Sequence, residues 1–143
     1  MARTFYEGVF ALPAHWRQRR YHYRCRLISP QKARVSAIDT MPKDYSNDWI
    51  FVRALSDDYW EVRAAAAQAL RKLGGQAYGP LLLEALLSET DFTVREALIR
   101  ALGTCGEEQS VLVLTHILHD QDESWMIREA AAWSLGVDSG TLH

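Results

Sequence analysis

Four places in this chain hold residues that could ligate, react or recognise. The run RQRRYHYRCR at Arg17–Arg26 interleaves Arg17, Arg19, Arg20, Arg24 and Arg26 with Tyr21, His22 and Tyr23. Guanidiniums that neutralise phosphate, beside rings that stack on bases, are what a nucleic-acid contact needs. The same run suits a contact with acidic protein surface, within the chain or on a partner, and it also fits a plain solvated face. His116 and His119 stand three apart near Asp120 and Asp122, the beginning of a zinc set, but the spacing places no third ligand. Cys25 and Cys105 have no neighbour at metal or redox spacing and read as reduced thiols that pack like small apolar groups. Glu107 and Glu108 are adjacent, and neighbours on a helix do not share a face. The chain contains no glycine-rich phosphate loop, no Gly-x-Ser-x-Gly elbow and no His-Glu-x-x-His helix. No catalytic residue, metal or cofactor is expected, and the chemistry points to binding.

The charge distribution supports that emphasis. Through Arg34 there are eight Lys or Arg against the single Glu7, a net of +7, while the remaining 109 residues hold 8 basic and 17 acidic side chains, a net of −9. Such asymmetry predicts two parts with different tasks. With 143 residues and 48% hydrophobic content, the chain suffices for one domain with a sizeable core. No apolar run approaches the roughly 20 residues that cross a bilayer, and the apolar Phe5–Leu12 stretch precedes the basic run, the reverse of a secretory signal. These features predict a cytoplasmic protein without a membrane contact.

What must position any binding residues is a segment that recurs: VRAAAAQALRKLG at Val62–Gly74, VREALIRALGTCG at Val94–Gly106, and IREAAAWSLGVDSG from Ile127, with starts 32 and 33 residues apart. A fixed period of this length is the mark of a solenoid of stacked units. Counting from Val62, Ala66, Ala69, Leu70 and Leu73 form one helical stripe, and the alanines let helices approach closely. A degenerate fourth copy starts with Ala33-Arg34, and Pro42 ends its helix over 31–41. Each clear copy has a preceding helix: Trp49–Leu55 with Asp48 as cap, Leu81–Leu87 with Pro80 at the first position, and Val111–Leu118 with Ser110 as cap. Gly74-Gly75, Gly103 with Gly106, and Gly136 mark the ends of the second helices. Residues 14–28 alternate as a strand would and equally fit a helical face; the repeat register favours a helix there.

These residues resemble the HEAT-repeat family, in particular its short phycobilisome-lyase-like form. The matching positions are Asp58, Val62, Arg63, Ala66, Ala69 and Leu70; then Asp91, Val94, Arg95, Ala97, Ala101, Leu102 and Gly103; then Asp122, Ile127, Arg128, Ala130, Ala131, Leu135 and Gly136. The resemblance implies an all-α solenoid of about four helical hairpins over 31–143, preceded by an aromatic and basic N-terminal arm or capping element over 1–30. It also implies three functional classes. One is a non-catalytic adaptor for a protein partner, another a nucleic-acid-binding solenoid, and the third a bilin-lyase-like enzyme or subunit. The acidic body and the placement of positive charge in the arm argue against the base-excising members of the second class.

The recurrent pairing of an acidic turn with a following arginine predicts a structural ladder built from Asp57 or Asp58, Arg63, Asp91, Arg95, Asp122 and Arg128. Positions +1, +2, +5 and +6 of each second helix should face outward. The +6 series reads Asp39, Gln68, Arg100, Trp133, and an outward tryptophan makes Trp133, with Arg100, Glu96 and Glu129, the leading recognition surface; the alternative is that Trp133 covers the end of the stack. Trp60 and Trp125, in the turns before second helices, are further candidate anchors or plugs between units. A terminal face made of Val111, Leu114, Leu118 and Trp133 would suit a homodimer.

Overall fold

The computed structural model describes residues 30–136. Seven α-helices account for the order: α1 (Pro30–Thr40), α2 (Asp48–Ala54), α3 (Trp60–Leu73), α4 (Gly79–Ser88), α5 (Phe92–Cys105), α6 (Glu108–His119) and α7 (Trp125–Ser134), with a short 3-10 turn at Gln76–Tyr78. They alternate between two rows. The second helices α1, α3, α5 and α7 pack in sequence against one another, and each of α2, α4 and α6 lies against the helix that follows it. The architecture is the expected all-α solenoid, with α1 as the second helix of the leading unit.

The helix ends follow from local chemistry. Asp91 accepts hydrogen bonds from the Thr93 and Val94 N–H groups and so starts α5, while Ser124 Oγ accepts from Ile127 N–H to start α7. Gly74 and Gly106 leave α3 and α5 at φ 66° and 63°, a conformation costly for any side chain with a Cβ. Three sequence expectations are corrected. Asp48 is the first residue inside α2 rather than its cap, and its carboxylate accepts a 2.9 Å hydrogen bond from Tyr78 Oη. Ser110 is buried within α6, which begins two residues earlier behind Glu107. Gly103 lies inside α5, where a Cβ would come within 2.7 Å of Ser134 Cβ and 3.0 Å of the Ser134 backbone; it is there for close approach of α7, and the helix continues through it.

The core runs along the stack as one cluster, with Phe51, Ile38, Leu70, Leu98, Leu102, Leu114 and Ile127 among its most completely buried members. Position +5 of the second helices was expected to face out, yet Ala67, Ile99 and Ala132 are all buried. A second helix in mid-stack touches the helix before it, the helix after it and its own hairpin partner, so its solvent-facing strip is narrower than that of a helix lying on one surface. Ala64 at +2 is buried for the same reason, whereas Glu96 and Glu129, its longer counterparts, reach solvent.

Candidate functional site

The conserved geometry of the stack is a set of ion pairs between units. Arg34 meets Asp57 at 2.9 Å, Arg63 meets Glu89 at 2.8 Å, and Arg95 meets Glu123 at 2.6 Å. The ladder is therefore real in form, with Asp57 rather than Asp58 as the acid of the first turn and Glu89 and Glu123 in place of Asp91 and Asp122. Each arginine reaches forward to the turn of the next unit. There the acceptor also organises its own turn: Asp57 accepts from Tyr59 N–H, Glu89 from the N–H groups of Thr90 and Asp91, and Glu123 from Ser124 N–H. A carboxylate that binds both a guanidinium and its local backbone is stronger than either contact alone. Asp91 is instead committed to capping α5, and Asp58 offers Arg63 only its backbone carbonyl, at 3.2 Å. Arg128 occupies the equivalent position in α7, and its Nε is buried without a hydrogen-bond partner.

Electrostatics follow the pairing. The Glu89 carboxyl is pushed up by burial, but the Arg63 hydrogen bond and the backbone N–H groups of Asp91 and Thr90 outweigh this and leave it below the ordinary value. Glu123 is lowered chiefly by the Arg95 hydrogen bond, against an opposing burial effect. Arg63 and Arg95 are correspondingly raised, first by their hydrogen bonds to Glu89 and Glu123. Tyr78 is raised to about 12, by burial and then by its bond to Asp48. These groups are occupied in holding the fold together. An open groove of about 430 Å³ between α2 and α4 is lined by Val52, Leu55, Leu81 and Ala85 above the Arg63–Glu89 pair, whose charges already satisfy each other.

The outward face of the second helices offers more. Trp133 on α7 is 54% exposed. The Arg100 guanidinium carbon of α5 lies 5.1 Å from its ring centroid and that of Arg71 on α3 lies 4.9 Å away, both within cation–π range. Arg100 is further held by Glu96, whose Oε1 accepts from its Nε at 3.0 Å and Nη2 at 2.9 Å. Three successive second helices thus contribute to one spot. Glu129, in the second turn of α7, is exposed and forms no salt bridge among the described residues. Arg71 escaped sequence reasoning because its partner lies two units away. The signal was nonetheless present: the α5 residue equivalent to Arg71 is Gly103, which presents no side chain to the gap.

Trp60 and Trp125 are exposed, 44% and 66%, and are the first residues of α3 and α7 rather than turn residues. That exposure contradicts a role as plugs between units. Phe92, at the same position of α5 and 38% exposed, completes the set; its equivalence to the two tryptophans could have been read from the repeat. The face imagined for a homodimer is not one open surface, since Val111 and Trp133 are exposed while Leu114 is 1% exposed and Leu118 is partly buried. His119 Nδ1 lies 2.8 Å from the Thr115 carbonyl on its own helix, and among the described residues no three His, Cys, Asp or Glu side chains gather as a metal set. Cys105 is buried, which raises its thiol pKa, with Glu107 adding to the effect. The basic run, with Arg17, Arg19, Arg20, Tyr21, Tyr23, Arg24 and Arg26, and Cys25 lie outside the described residues.

Among the described residues no helix is long and apolar enough to cross a membrane. The protein family described as HEAT repeats matches the sequence over residues 30–102 and 79–141. No curated protein matches it.

Proposed function

The chain belongs to the HEAT-repeat family, and from that premise we propose that it is a non-catalytic cytoplasmic interaction module that binds a protein partner on the outward face of its second helices. The observation that carries this reading is Trp133, a large ring left half exposed and held between helices by Arg71 and Arg100. Tryptophan and arginine concentrate binding energy at protein interfaces. Their mutual contact fixes the rotamers before a partner arrives, which reduces the ordering cost of association. Glu96 and Glu129 flank the cluster as polar rim. In this reading residues 31–143 form the binding domain, and residues 1–30 are a separate basic element that extends the contact.

The test is affinity capture from the source cells with the full chain as bait, followed by the same capture with Trp133→Ala and with Arg71→Ala. Recovery of the specific partner should fall by about tenfold or more for Trp133→Ala, as expected for an interface anchor. Full retention of every partner by both variants would overturn the assignment of this face.

A further inference from the structure

Each of the three second helices α3, α5 and α7 begins with a large aromatic residue, Trp60, Phe92 and Trp125, and all three rings are exposed. Because α3 packs on α5 and α5 on α7, and packed helices stand about 8–10 Å apart, the rings recur along one edge of the stack at about that interval. A polypeptide extended in the polyproline II conformation advances about 3.1 Å per residue with about three residues per turn, so every third side chain points the same way. Three of its residues therefore match one ring.

The chemistry of the edge selects what those residues would be. Asp57, Glu89 and Glu123 at this edge are engaged by the arginine ladder. Asp58, Glu61 and Asp122 border the same row and form no salt bridge among the described residues, and the chain beyond Arg34 carries a net charge of −9. Exposed ring faces beside unpaired carboxylates attract guanidinium and ammonium groups, since the cation meets the ring quadrupole and the carboxylate together. We propose that this edge is a docking track for an extended basic segment of a partner protein, with Arg or Lys at every third residue, one over each ring. The chain's own Arg17 and Arg20 stand three residues apart, but the next residue at that interval is Tyr23, so the basic run does not supply a cation for each of the three rings and the occupant is a separate polypeptide. Trp133 takes no part, and the track stands independently of the second-helix face.

The probe is a synthetic twelve-residue peptide, four repeats of Arg-Ser-Gly, titrated calorimetrically into the full chain at physiological salt. A control peptide of identical composition carries its arginines consecutively. The spaced peptide should bind at least about tenfold more tightly than the control, and Phe92→Ser or Trp125→Ser should each weaken it by roughly fivefold, the scale of one cation–π contact. Trp133→Ser should leave it unchanged, and circular dichroism should report intact helix in every variant. If the edge variants lose helix, Asp58→Asn with Glu61→Gln supplies the same test through the carboxylates. Equal affinity for the two peptides would overturn the proposal, as would indifference to the edge variants. So would binding that emerges only when Arg17, Arg20 and Arg26 are replaced, since the edge would then belong to the chain's own arm.

Discussion

Arg34 and Asp57 meet at 2.9 Å across 23 residues of sequence, with only 3% and 2% of their side chains exposed. The contact ties the leading helix α1 to the turn ahead of α3, and Asp57 simultaneously holds Tyr59 N–H. Loss of one partner leaves a charge buried without its counter-ion. Arg34→Met should therefore cost about 3–5 kcal/mol in urea unfolding, and adding Asp57→Asn should recover part of it. A cost below about 1 kcal/mol would show that the carboxylate finds water or another donor.

Gly103 lies against Ser134, whose Oγ donates to the Ile99 carbonyl at 3.2 Å and to Ala130 at 2.8 Å. Alanine favours a helix over glycine by about 1 kcal/mol, but here the added methyl meets backbone of α7. Overpacking of this kind costs about 1–3 kcal/mol. Gly103→Ala should lower the thermal midpoint, while raising it would show that α7 can retreat without loss.

The ladder carboxylates predict acid sensitivity with a definite sign. Glu89 and Glu123 have folded-state pKa values below the ordinary range, so their contribution is complete above the unfolded value near about 4.3 and is lost as pH falls through the folded values. The urea midpoint should hold steady between neutral pH and about pH 5 and decline below that. A Glu89→Gln/Glu123→Gln double variant should decline less steeply. An identical slope would assign the acid sensitivity to other groups.

Arg95 and Arg128 occupy equivalent positions with opposite circumstances: the first is bidentate to Glu123, the second has a buried Nε without a partner. Arg95→Met should cost about 1–3 kcal/mol, the usual loss for a charged hydrogen bond. Arg128→Met should be within about 0.5 kcal/mol of wild type or stabilising, because it removes an unsatisfied donor. Equal costs at the two positions, read by chemical denaturation, would refute the distinction.

Much of the fold could be read from spacing because the forces that build it are local and recur. Val62, Val94 and Ile127 mark the same helical face in each unit, and the glycines after Leu73 and Cys105 end two of those helices. The identity of the ladder acceptors could not be read that way. Asp58 and Glu89 both precede a ladder arginine by a few residues, and only the path of the turn decides which carboxylate faces the previous unit. Nor did sequence show that Arg71 reaches Trp133, because contact across two units depends on how closely α3, α5 and α7 approach. Exposed Phe92 is the instructive case: it was invisible as a single residue and plain as the third member of a series.

The ladder also bears on how such a molecule changes over generations. A middle hairpin carries an acid that answers the arginine before it, and an arginine that asks for an acid after it. Copying or deleting one whole hairpin leaves every internal charge matched, and moves the row of rings by a single step without breaking it. A cut at any other phase strands an ion in the interior. Inheritance in whole hairpins is thus favoured by electrostatics as well as by packing, and length becomes a property that this architecture can adjust without redesigning its core.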